Sequence, residues 1–365
     1  MTRLRVRLAA LVGVILVQFG LFEGALRLVG GSEAAPAFQQ LFLRDPVIGY
    51  RLRPSTAIRF TTADFSTDIS INSAGVRDAE IGPKPTGERR IVVLGDSLVL
   101  AVQVPIAQTF CKRLEARLNQ RGGGTRYRVI DAGVQGYGPV EEALFYERVA
   151  SRLDPDLVLV VTFVANDAIE AAGSAARLRG EGGGMVPVSQ ALLDRTRHIV
   201  RRSMVLQMVN QRISQLRERF RFGRRAQPDP RLLTYATPVS LELARGLQVS
   251  REAIGRIAKG ASAKGVPTAI VLMPARLQLD DDEFARMRAL VEPAGYHMTV
   301  DGATILFEDA LRPLGLPMLD LLPAFRGAAD PRAVFFGSTV HLTPAGHQLA
   351  ADALTTFLDA HHLVP

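Results

Sequence analysis

The sequence predicts an α/β fold, on three observations. Residues 91–94 are four consecutive apolar residues that stop at Gly95, and the stretch after them is helical in spacing, with Phe110, Leu114 and Leu118 four apart. Residues 127–130 repeat the strand pattern ahead of a second helical stretch, 139–152. Two further β-rich runs, 158–164 and 268–273, are separated by a third helical stretch, 246–264. Strands that alternate with helices bury their apolar faces in layers, which is the α/β arrangement.

In chain order, residues 67–72 alternate like a strand, and 82–88 form a turn-rich lead into the first core strand. A helix follows over 108–119. The helix at 139–152 is closed by Asp154-Pro155-Asp156. Residues 284–290 and 304–311 are helical, and Met318-Leu319 leads toward the last loop. Thr343 is a good N-cap and Pro344 a good first residue for a final helix.

Four segments carry candidate chemistry. Gly95-Asp96-Ser97-Leu98 puts Ser97 between a buried strand and a helix, at the edge where open α/β sheets bind ligands. A serine there has an exposed Oγ and backbone N–H groups aimed at its point of attack. Asp131-Ala132-Gly133-Val134-Gln135-Gly136-Tyr137-Gly138 follows the next strand, and its glycines permit positive φ and close backbone approach. The run 158–167 ends in Asn166-Asp167, where a side-chain amide can donate to a developing oxyanion. His341 falls in the loop before the last helix, free to face a cleft. His347 falls inside that helix, where packing is the ordinary role.

Ser97, Gly136, Asn166 and His341 occur in the order of the SGNH (GDSL-type) hydrolase superfamily, which the chain resembles from about residue 70 to its end. The lead-in Asn72-Ser73-Ala74-Gly75-Val76-Arg77-Asp78 resembles the membrane-anchored bacterial branch, including alginate O-acetylation-like members. The resemblance implies a flavodoxin-like αβα three-layer sandwich with a parallel sheet. It also implies Ser97 as nucleophile and His341 as base. The Ser97 N–H, the Gly136 N–H and the Asn166 amide would form the oxyanion hole.

Two departures stand out. The family has glycine shortly before Asn-Asp, where this chain has Val164 and Ala165. It also has an aspartate two or three residues before the histidine, where this chain has Thr339 and Ser338. Replacing that aspartate by an amide in a serine protease costs ~10⁴ in kcat, partly through the wrong tautomer. A hydroxyl can accept from Nδ1–H but cannot stabilise imidazolium. The expectation is a Ser–His dyad oriented by Ser338 or Thr339, or a carboxylate from elsewhere. Asp320 is the candidate donor, with the plain role of closing a strand as its alternative.

Composition suits one catalytic domain with additions: 365 residues, 47% of them apolar. A single cysteine, Cys111, excludes an intrachain disulfide and a cysteine zinc cluster. No metal-ligand spacing, Walker loop or dinucleotide fingerprint appears, so neither cofactor nor metal is expected. Arg3, Arg5 and Arg7 precede 15 uncharged residues, 8–22, and the apolar pattern continues to Val29. A bilayer span needs ~20 residues. Residues 1–30 therefore read as an uncleaved transmembrane anchor, with a cleaved signal peptide as alternative, and the catalytic domain faces the periplasm or outside. Residues 31–87 read as stalk and lead-in, and 88–365 as the hydrolase-like domain. A helical insertion lies at about 176–245 within it.

Between Arg195 and Arg225 the insertion has ten arginines against Glu218 alone, a charge of +9 beside +8 for the whole chain. That patch suits anionic lipid or polyanion, or is simply a solvated helix face. Nucleic acid is not expected behind a membrane signal, and oligomeric state is not legible. The expected activity is that of a serine esterase on an O-acyl ester of an exported glycan or a lipid. O-acetyl transfer to an exported polysaccharide and glycan or lipid binding without turnover remain as alternatives.

Overall fold

Runs of consecutive apolar residues become the centre of a parallel sheet. In a computed structural model of the protein, the described residues are 38–178 and 228–364, without Gly123 and Ser338, together with Gln18 and Gly20. The expected anchor over 1–30 and the arginine-rich stretch lie outside this set, apart from those two residues. Among the described residues no helix is long and apolar enough to cross a membrane.

Two antiparallel hairpins come first: β1 (Phe42–Asp45) with β2 (Gly49–Leu52), and β3 (Thr56–Thr61) with β4 (Ser66–Ile71). The stretch expected as a stalk thus contains four strands, and it shares one compact unit, Pro36–Arg179 with Pro228–Pro365, with the rest of the fold. Next are β5 (Glu88–Gly95), α1 (Ser97–Leu100), α2 (Phe110–Gln120), β6 (Arg126–Gly133), α3 (Pro139–Arg148), β7 (Leu157–Phe163) and α4 (Asp167–Leu178). After the undescribed stretch come β8 (Ala236–Thr237), α5 (Leu241–Ser262), β9 (Thr268–Met273), α6 (Asp281–Val291), β10 (His297–Met298), α7 (Gly302–Leu311), β11 (Met318–Asp320), α8 (Leu322–Arg326) and α9 (Pro344–Ala360).

The main sheet runs β11-β9-β7-β5-β6, with every neighbouring pair parallel. Every residue of β7 and β9 is buried, which explains why these strands read as continuous apolar runs rather than alternations. Fully burying each such Val, Leu or Ile stabilises the fold by about 1.5–3 kcal/mol. The step from β5 to β6 runs opposite to the later steps from β6 through β7 and β9 to β11. Right-handed crossovers then place α2 on one face and α3 and α5 on the other. The packing agrees, with α9 against α2 and with α3 and α4 against α5.

The reversal beside β5 is the topological switch point, and in such sheets ligands bind outside the carboxyl ends of the strands there. Ser97, Gly136 and Asn166 follow the carboxyl ends of β5, β6 and β7, three adjacent strands.

Candidate active site

The nucleophile segment is built by close packing. Asp96 caps α1, its carboxylate accepting from the Leu98 N–H at 2.8 Å and lying beside the Ser97 N–H and hydroxyl. A Cβ on Gly95 would lie 2.3 Å from Val99, and one on Gly133 would lie 2.5 Å from the Leu100 nitrogen. These glycines let the four-residue helix rest directly on the ends of β5 and β6. Ser97 as a residue is only 8% exposed.

Gly136 has φ +70, in the left-handed region that glycine enters without a Cβ penalty. It is exposed, and among the described residues none accepts from its N–H. Asn166 donates from Nδ2 to Glu170 Oε1 at 2.8 Å, one turn along α4, while its buried Oδ1 has no partner among the described residues. That bond fixes which way the amide faces and leaves the second Nδ2 hydrogen for a ligand.

The His341 loop is tied back at several points. Phe336 N–H donates to the His341 carbonyl at 2.9 Å, Phe335 bridges Leu342, and Arg276, just beyond β9, donates to the Gly337 carbonyl. Among the described residues neither imidazole nitrogen of His341 has a hydrogen-bond partner, and burial holds its pKa down to about 4. Two of the expected orienting groups accept from backbone N–H groups. The Thr339 hydroxyl accepts from the His341 backbone N–H at 3.3 Å, and Asp320 accepts from the Leu322 N–H at 2.8 Å, at the start of α8. Asp320 is thus placed to close its strand and serve the first turn of the next helix. Ser338 lies outside the described residues. His347 is packed: its Nδ1 accepts from the Phe110 N–H at 3.2 Å and its ring stacks on Phe110.

Residues 235–364 match the family model described as ALGX: SGNH hydrolase-like domain, acetyltransferase AlgX. That stretch is similar to the SGNH hydrolase-like domain of this family. The matched stretch includes His341, while Ser97, Gly136 and Asn166 precede it. No curated protein sequence matches the chain. Among solved structures, TesA is similar over 76% of this chain and 100% of its own, at 13% identity and a TM-score of 0.41. Axe2, an acetylxylan esterase from Geobacillus stearothermophilus, is similar over 74% and 94%, at 12% identity and 0.41. CEX, a two-domain esterase active on acetylated mannans, is similar over 75% and 49%, at 12% identity and 0.42.

Two features of the fold were not picked out from the sequence. The first is Arg77, a fully buried guanidinium. Its Nη1 donates to the carbonyls of Leu100 and Ala101 at 2.6 Å each, and its Nη2 to that of Val104 at 2.8 Å. It serves carbonyls that a one-turn helix leaves open at its C-terminus.

The second is a group of carboxyls beside the candidate nucleophile. Burial pushes Asp96 up to about 6 and Glu170 to about 7. Glu142 and Asp167 are pushed well above the usual range by burial, then by their neighbours' charges. Among the described residues both Glu142 oxygens and Asp167 Oδ1 have no hydrogen-bond partner. Among the described residues no set of His, Cys, Asp and Glu has the arrangement to hold a metal ion. The sequence signal was present, in Glu141-Glu142 and Asp167 with Glu170, but it reads equally as helix N-terminal charge.

A pH dependence follows. A carboxyl raised in the folded state keeps its proton when the unfolded chain has lost it, so its stabilisation fades as pH rises through the folded value. His341, at about 4, and His347, held at about 3 by burial, act in the opposite sense up to pH ~6.5. The two effects oppose each other below that pH, and only the carboxyl effect remains above it. The thermal midpoint is therefore expected to fall between pH 6.5 and 8.5. Glu142→Gln, which removes one of these titratable carboxyls, should flatten that fall and raise the midpoint at pH 8.5. A wild-type midpoint constant across this range would show these carboxyls to be ordinary.

Proposed function

We propose that the chain is a serine acylhydrolase that forms an acyl-enzyme on Ser97 from O-acyl esters of an extracytoplasmic glycan or lipid. The observation that carries this reading is the convergence of Ser97, Gly136 and Asn166 at the ends of three adjacent strands around the switch point. Ser97 Oγ attacks the acyl carbon and His341 takes its proton. The oxyanion forms against the Gly136 N–H, the Asn166 amide and the backbone at Ser97. Attack by water releases the acid. The anchor reading of residues 1–30 places this chemistry outside the cytoplasm, supported by Arg3, Arg5 and Arg7 ahead of the apolar run.

A second reading is favoured by the family match, whose description names an acetyltransferase. The same acyl-enzyme would pass its acetyl group to a sugar hydroxyl, and the product would be an O-acetylated polysaccharide. The test uses the full-length chain, p-nitrophenyl acetate and a serine-directed fluorophosphonate, with and without a deacetylated polysaccharide. Labelling at Ser97 with acetate release supports the hydrolase. Acetyl appearing on the polysaccharide supports the transferase. Neither labelling nor turnover would leave a binding module and defeat both catalytic readings.

Thr339→Asp tests the state of His341. An imidazole held at about 4 by burial is a weak base near neutral pH. A carboxylate two residues upstream should raise its pKa and stabilise the imidazolium formed in the reaction. A tenfold gain in kcat, worth ~1.4 kcal/mol of barrier, is expected. No gain, with unchanged pH dependence, would mean that the loop does not let residue 339 reach Nδ1.

A further inference from the structure

Tyr50 lies on β2, in the part of the chain that the sequence presented as a stalk. Its hydroxyl donates to the Gln135 carbonyl oxygen at 2.7 Å, across 85 residues. The Gln135 C=O and the Gly136 N–H belong to one peptide unit. That unit is planar and trans, so its oxygen and its hydrogen point in opposite directions. A bond that pins the carbonyl therefore also aims the N–H. A Cβ on Gly136 would lie 2.9 Å from the Tyr50 hydroxyl, so the phenol rests directly against this turn.

The contact is reciprocal. The Tyr137 hydroxyl donates to the Tyr50 carbonyl at 2.6 Å, and the two rings lie 5.6 Å apart. Ring contacts continue from Tyr50 through Phe42, Phe38, Phe60 and Phe65 to Phe336, in the loop that carries His341. The two hairpins thus touch both the loop of Gly136 and the loop that carries His341.

We propose that Tyr50 is a positioning residue for acyl transfer, aiming and polarising the Gly136 N–H as an oxyanion donor. The proposal rests on the acyl-enzyme reading above. When Ser97 Oγ bonds to the acyl carbon, the carbonyl π pair moves onto oxygen and the Oγ proton passes to His341. The Gly136 N–H meets the oxygen that gains this charge. An acceptor already bonded at the other end of the same amide makes that N–H a stronger donor. The benefit grows as charge develops on oxygen, so it belongs to kcat and not to ground-state binding.

The test is Tyr50→Phe in the full-length chain, which keeps the ring and removes the hydroxyl. With p-nitrophenyl acetate, kcat is expected to fall about tenfold while KM stays within twofold, since aiming one donor is worth less than having it. A boronic acid, whose tetrahedral adduct places an oxyanion in the same position, should weaken by the same factor, and binding of the product acetate should not change. Unchanged kcat and boronate affinity, with Ser97→Ala inactive, would overturn the role of Tyr50 and leave the acyl-enzyme reading standing. A rise in KM with a lowered thermal midpoint and no boronate-specific loss would make Tyr50 merely structural. Equal behaviour of the wild type and Ser97→Ala would defeat the acyl-enzyme reading, and the proposal with it.

Discussion

Ser97→Ala is expected to cut ester turnover at least ~10³-fold, in line with removal of a nucleophile from a catalytic serine–histidine unit. The thermal midpoint should move by no more than about 4 °C, because one partly satisfied hydroxyl contributes about 1 kcal/mol. His341→Ala should match it in activity, and the double variant should be no worse than either single one, since members of one catalytic unit are not additive. His347→Ala separates base from packing. It removes a stacked ring and the acceptor for the Phe110 N–H, so its main effect should be on the midpoint. If His347→Ala silences the enzyme and His341→Ala does not, the base has been assigned to the wrong histidine.

Arg77→Met should give the largest loss of stability. The guanidinium serves three buried carbonyls at the end of the helix that begins with Ser97. Its charge also holds down the pKa of buried Asp131, which burial has pushed up to about 7. Methionine fills much of the volume but leaves those acceptors unsatisfied at about 1–3 kcal/mol each, and it leaves Asp131 without its compensating charge. A total near 3–5 kcal/mol is expected, the range for breaking a buried charged network, or roughly 6–20 °C in the midpoint. Arg77→Lys should fall between, since one ammonium cannot reproduce the planar fork. Activity should fall with stability in both variants, because the end of α1 that Arg77 holds is three residues from Ser97. A midpoint for Arg77→Met within 2 °C of wild type would show that water replaces the guanidinium at no cost.

Local patterns made several elements legible. The apolar run ending at Gly95, the strand 268–273 and the capped start of the last helix are set by burial, β-branching and capping within a few residues. Thr343 does accept from the Gly346 N–H, at 3.2 Å, with Pro344 opening the helix. The placement of Ser97 between strand and helix was legible for the same reason. Its burial was not, because that depends on how closely α1 rests on two strand ends.

The hairpins at 42–71 were hardest to read. Their short alternating strands resemble an exposed stalk until they pack on the main domain. The partner of the His341 imidazole is not legible in the sequence for a related reason. Thr339 stands at the expected position and Asp320 is a carboxylate from elsewhere in the chain, but each has a backbone N–H two residues away from which it accepts. Short local hydrogen bonds form with little loss of chain entropy, so they outcompete a distant imidazole.

The sequence by itself determined the alternation of strands and helices, the nucleophile turn and the order of the four candidate site segments, because each is written in neighbouring residues. Only the tertiary structure decided that β5 lies at the switch point, that Arg77 holds the end of its helix and that Tyr50 grips the Gln135–Gly136 peptide. Those are contacts between groups far apart in the chain. A hydroxyl, a guanidinium and a carbonyl acquire such roles only when folding takes them out of water together. No spacing along the chain records which buried group will find which partner.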